Sequence, residues 1–170
     1  FEVHYQPIYS IRKKRFVTLE ALSRLRHPEL GWISPDVFIR LAEKNRLIDA
    51  LTDLQLRRIC RFLKSHEDVA RQIDSVKVNL SALNLMQEHC AERLIAILDE
   101  YALPHRLFQF EITETVATEY STRLSRAVDA FSQADIGLCL DDFGSGFANL
   151  NTVTHLPFSA IKLDRSLLYH

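Results

Sequence analysis

Acidic and amide side chains recur at the ends of apolar runs along this chain. Glu20 interrupts the run over residues 16–22, and Asn79 follows Val76-Lys77-Val78. Glu111 and Glu114 close Phe108-Gln109-Phe110-Glu111-Ile112-Thr113-Glu114, Asp141 and Asp142 end the run that begins at Ile136, and Lys162 and Asp164 end Ala160-Ile161-Lys162-Leu163-Asp164. Carboxylate and amide oxygens with no cysteine and no obligatory histidine form a hard donor set, suited to Mg²⁺ or Mn²⁺. Two such ions held about 4 Å apart clamp a phosphodiester and generate hydroxide for in-line attack. In that chemistry Asp141 bridges the ions, and Lys162 stabilises the developing charge or orients the water. Adjacent strand residues point to opposite faces, so Asp141 and Asp142 reach one site only where the strand ends and its backbone turns. Gly144 and Gly146 follow at once. Taken singly, each residue also reads as ordinary turn chemistry, a cap or a surface charge, and Lys162 as a strand-end lysine snorkelling to solvent.

The elements that must hold these groups are legible in the hydrophobic pattern. Val3, Tyr5 and Ile8 mark a first strand, with Pro7 at its end or on an edge. Residues 16–22 form a second, in which a buried Glu20 requires a partner. His27-Pro28-Glu29-Leu30-Gly31 reads as loop, and Ser34 before Pro35 as a helix start with the serine as cap. A helix then presents Phe38, Leu41 and Ala42, and another covers about 48–63. Residues 76–81 are a third strand. Met86, Cys90, Leu94, Leu98 and Ala102 predict one amphipathic helix stopping before Pro104. A fourth strand spans 108–114, a helix carries Leu124, Ala127, Val128 and Phe131, and strands five and six end at Asp142 and Asp164. From Val78 to Phe110 to Leu140 the repeat is about thirty residues, the spacing of a (β/α)₈ barrel. In such a barrel the C-terminal strand ends converge, so five polar strand ends would share one pocket.

Composition narrows the class. The 170 residues suit one α/β domain, and a 47% hydrophobic share supports a substantial core. A formal net charge of -1 leaves no electrostatic footprint for DNA or an anionic membrane, and Arg12-Lys13-Lys14-Arg15 reads as a solvated hairpin turn. Cys60, Cys90 and Cys139 are odd in number and lie among apolar residues, which fits reduced thiols of a cytoplasmic protein, or of the cytoplasmic part of a membrane-anchored one. No apolar run approaches the ~20 residues of a membrane span. A chain that begins at Phe1 inside a strand is expected to be part of something longer.

Glu20-Ala21-Leu22, Asn79-Leu80-Ser81, Glu111-Ile112-Thr113-Glu114, Asp141-Asp142-Phe143-Gly144 and Lys162-Leu163-Asp164, in this order, resemble the EAL family of cyclic di-GMP phosphodiesterases. Tyr5-Gln6-Pro7-Ile8 and Arg26-His27-Pro28-Glu29-Leu30-Gly31 extend the resemblance over essentially the whole chain. It implies a TIM-like barrel whose first strand runs antiparallel to the rest, here covering about six strands, and hydrolysis of cyclic di-GMP to linear pGpG with two Mg²⁺ or Mn²⁺ ions. It implies that Glu20, Asn79, Glu111 and Asp141 hold one ion, and that Asp141 and Asp142 reach the second. Lys162 would contact the attacking water, and Gln6, Leu22, Arg24 and Asp164 the dinucleotide. Glu114 would steady the loop after Asp142.

The family loop usually reads Asp-Phe-Gly-Thr-Gly-Tyr-Ser-Ser-Leu; here Ser145, Phe147, Ala148 and Asn149 replace the threonine, the tyrosine and both serines, and Ser23 stands where leucine is usual. The family also has two further strands, supplying another metal-binding glutamate and a glutamine, so the chain is expected to continue past His170. The resemblance further implies other domains in the same protein, sensor or cyclase-like, and a homodimer contact. Two other readings stay open: a catalytically silent cyclic di-GMP receptor or protein-interaction module, and an unrelated two-metal phosphoesterase, which would have no reason to keep Gln6, Arg24 and Asn79-Leu80-Ser81 together.

Overall fold

The computed structural model describes residues 1–113, 122–144 and 156–168. Glu114, Ser145, Phe147, Ala148 and Asn149, singled out in the sequence, lie outside these residues. Strands β1 (Glu2–Ser10), β2 (Arg15–His27) and β3 (Gly31–Ile33) come first. They are followed by helices α1 (Pro35–Lys44), α2 (Ile48–Ser65) and α3 (Glu67–Gln72), strand β4 (Ser75–Asn79), and helices α4 (Ala82–Leu85) and α5 (Cys90–Glu100). Then come β5 (Phe108–Thr113), α6 (Thr122–Gln133), β6 (Gly137–Phe143), β7 (Ala160–Leu163) and a short 3₁₀ turn at Arg165–Leu168.

The sheet runs in the order β1-β2-β4-β5-β6-β7 and curls into a half-barrel. As expected, β1 pairs antiparallel with β2, while β2, β4, β5, β6 and β7 are mutually parallel. Strand periodicity divides the two faces. Val17, Ala21, Val76, Val78, Phe108, Phe110, Ile112, Leu138 and Leu140 are buried, and all but Val17 belong to the one core that α2, α5 and α6 complete with Leu56, Ile59, Leu94, Leu98, Leu124 and Phe131. Their alternates on the other face include Glu20, Lys77, Asn79, Glu111, Cys139, Asp141 and Lys162.

Three local expectations are corrected. Residues 27–31 are a hairpin: β2 runs on to His27, Gly31 at φ +71° reverses the chain, and β3 pairs back onto β2. The His27 Nδ1 accepts from the Glu29 and Leu30 amides at 3.2 and 3.3 Å and stabilises the turn. The single helix read from Met86 to Ala102 is two, α4 and α5, broken where His89 adopts φ +62°. Of the expected series, Cys90, Leu94 and Leu98 belong to the core, while Met86 is half-buried and Ala102 is exposed beyond α5. Ser34 caps α1 through its carbonyl, which accepts from Val37 and Phe38 at 3.0 and 3.1 Å, and its hydroxyl makes no cap bond. Pro7 sits within the edge strand β1, and the Arg12-Lys13-Lys14-Arg15 turn is held by Lys13 on Asp74 at 2.8 Å and by Arg15 on the Gln72 carbonyl.

Candidate functional site

The polar face of the sheet gathers its carboxylates at the C-terminal ends of the parallel strands. Register sets the neighbours: Glu20 lies opposite Lys77, Asn79 opposite Glu111, Glu111 opposite Cys139, and Thr113 opposite Asp141. Glu111 and Asp141 are among the few buried polar residues, at 1% and 8% exposure. Lys162 reaches in from β7, its Nζ 3.1 Å from Asp141 Oδ2, 3.3 Å from Glu20 Oε2 and 4.0 Å from Glu111 Oε2. The partner that a buried Glu20 required is therefore a lysine 142 positions away. Burial would lower the Lys162 pKa, but the carboxylates of Glu111, Asp141 and Glu20 outweigh it and hold the ammonium above lysine's ordinary value.

A second lysine lies beneath. Lys77 donates to Glu111 Oε1 at 2.7 Å and to Cys139 Sγ at 3.3 Å. Burial pulls its pKa down, and the bond and charge of Glu111 more than compensate. Lys77 was not singled out in the sequence, although a charge between Val76 and Val78, in phase with Asn79, is the period-2 signal that could have found it. Cys139, read as an ordinary core thiol, is buried but belongs to this polar face; its thiol pKa is raised, first by desolvation.

Glu111 is thereby split in function. Its Oε1 is taken by Lys77, and its Oε2 has no hydrogen-bond partner; among the described residues it is the sole buried side-chain polar atom in that condition. A carboxylate oxygen left bare in a dry site is costly unless something binds it. The sheet also turns where the double acid predicted. Between Leu140 and Phe143 the pairing with β7 is irregular, and Asp142 adopts φ +54°, a left-handed conformation that aspartate tolerates better than most residues. The Asp142 amide donates to Asp141 Oδ1 at 2.8 Å, which leaves Asp141 Oδ2 for the cluster. The Asp142 side chain is exposed; desolvation, then the charges of Asp141 and Asp164, raise its pKa.

The other expected site residues are distributed around this centre. Asn79 is exposed at the end of β4 and, with Glu111, lines a cleft of about 420 Å³ between the strand ends and α1, α2 and α4. Leu22 and Arg24 line the same cleft, and Arg24 donates to the Ser23 carbonyl at 2.9 Å. Gln6 lies opposite Glu20 in the β1–β2 register and is exposed, outside the cleft lining. Asp164 caps the 3₁₀ turn at Arg165–Leu168: its Oδ1 accepts the Ser166 amide at 2.8 Å, and the Ser166 side chain, then that amide, hold its carboxyl below the usual range. Gly144, at φ +93°, packs so closely on Leu167 that a Cβ there would lie 2.5 Å from that side chain.

The family model for the EAL domain matches residues 1–170. Among curated proteins the chain is 35% identical over 167 residues to the cyclic di-GMP phosphodiesterase NbdA of Pseudomonas aeruginosa, covering 98% of this chain and 21% of that protein. It is 32% identical to a second cyclic di-GMP phosphodiesterase of the same organism, PA2567, covering 98% of this chain and 28% of the relative. The chain thus spans about a fifth to a quarter of the length of these relatives. Among solved structures, the PaMucR phosphodiesterase in complex with c-di-GMP superposes with a TM-score of 0.90 at 29% identity, over 99% of this chain and 70% of that one. The FimX EAL domain has the same fold, with a TM-score of 0.87 at 23% identity over 99% of this chain and 67% of that one.

Proposed function

The chain belongs to the EAL domain family, and on that footing we propose that it hydrolyses cyclic di-GMP to linear pGpG with Mg²⁺ or Mn²⁺. The observation that carries this reading is the convergence of Glu20, Glu111 and Asp141 from three strands, with Glu111 Oε2 bare among them. The donor set fits a hard divalent cation: Glu20, Asn79, Glu111 and Asp141 would hold one ion, and Asp141 with Asp142 a second. When bound, such ions polarise the phosphoryl oxygens and acidify a water.

The chain's own residues supply the remaining work. Lys162, kept cationic by its carboxylate neighbours, has three N–H donors with which to orient the water and meet charge developing on phosphorus. Arg24 spends one donor on Ser23, and its guanidinium keeps others in a planar fork suited to phosphate. Leu22, Pro35 and Ile39 give the cleft apolar walls against which a guanine base can stack, and about 420 Å³ lies within the range of small-molecule sites. Gln6 and Asp164 are assigned to the rim of the nucleotide site, Asp164 with one oxygen left after capping. Glu114 is assigned to the loop after Asp142. The length of the relatives supports placing the chain as one module of a longer signalling protein; sensor or cyclase-like domains and a second copy are assigned as its partners on the family resemblance alone. Among the described residues no helix is long and apolar enough to cross a membrane, which is compatible with a cytoplasmic module.

Turnover of cyclic di-GMP by the protein at its full natural length, first with Mg²⁺ and then with Mn²⁺, followed by chromatography for pGpG, tests the reading. Formation of pGpG that a chelator abolishes is the expected result. Nucleotide binding without product would overturn it in favour of a receptor that keeps the cleft and not the chemistry.

A further inference from the structure

Two carboxylates of the cluster, Glu111 and Asp141, offer Lys162 the oxygen that their other donor does not engage. Glu111 has committed Oε1 to Lys77, and Asp141 has committed Oδ1 to the Asp142 amide. The remaining oxygens, Glu111 Oε2 and Asp141 Oδ2, together with Glu20 Oε2, surround the Lys162 ammonium at 4.0, 3.1 and 3.3 Å. An added divalent cation would seek those same three oxygens. We propose that Lys162 is a tethered competitor for the cation, its ammonium standing between Glu20, Glu111 and Asp141 until an ion displaces it. This rests on the reading of the cluster as a cation site.

The two lysines are built differently for such a role. Lys77 is 12% exposed, lies in an interior strand and bonds Glu111 Oε1 and Cys139 Sγ, so it is a permanent counter-charge. Lys162 is 38% exposed and reaches three carboxylates at once, Asp141, Glu20 and, at 4.0 Å, Glu111. Its stem is flexible and its charge compact, whereas an arginine's planar fork would lock onto the carboxylates. Three converging carboxylates repel one another strongly in a partly dry site, and a cation from the chain itself relieves that until a stronger one arrives. Displacement then delivers the ammonium to the rim of the cluster, beside the position a phosphodiester must take. Cation loading and presentation of Lys162 become one event.

Direct Mn²⁺ binding, followed by electron paramagnetic resonance without nucleotide, tests this on the natural protein, Lys162→Met, Lys162→Arg and Lys77→Met. Lys162→Met should bind Mn²⁺ roughly tenfold tighter or more, because a like charge has left the site. Lys162→Arg should bind no tighter than the natural protein. Lys77→Met, which removes equal charge from the far side of Glu111, should gain much less. Unchanged or weaker Mn²⁺ binding in Lys162→Met would overturn the proposal, as would an equal gain in Lys77→Met, which would reduce the effect to net charge. Should Lys162→Met fail to fold, Lys162→Gln carries the same expectation; should Lys77→Met fail, Lys77→Gln, which removes the same charge, serves as the control. Absence of Mn²⁺ binding in every form removes the proposal together with the cation reading. Tighter binding in Lys162→Met, with no cyclic di-GMP turnover by the natural protein, keeps the competition and removes the phosphodiesterase reading alone.

Discussion

Two buried polar clusters lie within this domain, and they are finished differently. On the helix side, Asn84 is fully buried and uses both ends of its amide: Nδ2 donates to Asp49 at 2.7 Å, while Oδ1 accepts from Thr52 and from the Ser81 amide at 3.2 Å each. Arg93 spans Asp49 and Asp53, and Ser81 donates to Glu43 at 2.5 Å. Opposite charges alternate, and α1, α2, α4 and α5 are tied to one another. On the polar face of the sheet, three carboxylates are crowded together with two lysines, and Glu111 Oε2 is left bare. A polar network that only stabilises can close all its donors and acceptors; one that binds must leave some open. The contrast supports the proposal that the strand-end cluster is the functional one.

The sharpest way to break the contrast is Glu20→Ala. It removes an oxygen from the open cluster, and turnover of cyclic di-GMP should fall by roughly a thousandfold or more, with loss of Mn²⁺ affinity and an unchanged circular dichroism spectrum. Undiminished turnover would sink the assignment of Glu20 as a ligand. Asp141→Asn should abolish turnover to a similar degree, yet leave the thermal midpoint without divalent ions equal or higher. It relieves repulsion while an amide oxygen still accepts from the Asp142 N–H, the usual trade of stability against activity at a working site. A pronounced fall in the midpoint would show that this cluster, too, is structural.

Asn84→Ala makes the reciprocal cut. It takes the acceptor from the Ser81 amide and one partner each from Asp49, which keeps Arg93, and Thr52, which keeps the Ile48 carbonyl, and should cost about 1–3 kcal/mol, read as a lowered midpoint in urea or heat with Mn²⁺ affinity retained. The smallest effect concerns the thiols of the closed side. Desolvation pushes Cys60 up to about 12 and Cys90 up to about 11. Both therefore stay protonated at pH 8, where an unfolded cysteine near 8.5 is already partly thiolate. A disulfide reagent at pH 8 should leave them unmodified in the folded protein and react after denaturation; fast native labelling would show that α2 and α5 open readily.

Much of this was legible in local pattern. Glu20 within β2, the acids toward the ends of β5 and β6 and the asparagine at the end of β4 were readable because a strand's period of two and a repeat of about thirty residues need only neighbouring residues to declare themselves. The turn at Asp141 and Asp142 was readable from their adjacency, and the structure supplies it as a left-handed Asp142. The hairpin at Gly31 and the break at His89 were not, because each turns on a single positive φ that hydrophobic periodicity does not report. Lys77 was overlooked for another reason: one charge in an apolar strand carries no partner's name until the adjacent strand is set beside it.

By itself, then, the sequence determined that acid and amide residues fall in or near the ends of the parallel strands, which face of each strand is polar, and that these oxygens are hard donors. The tertiary structure alone decided what each oxygen does. Curvature of the sheet brings Lys162 to Glu20 across 142 positions, register sets Lys77 under Glu111, and these two placements choose which oxygen of Glu111 is engaged and which is bare. Periodicity is a property of a few consecutive residues. The state of a single carboxylate oxygen depends on every strand that borders it.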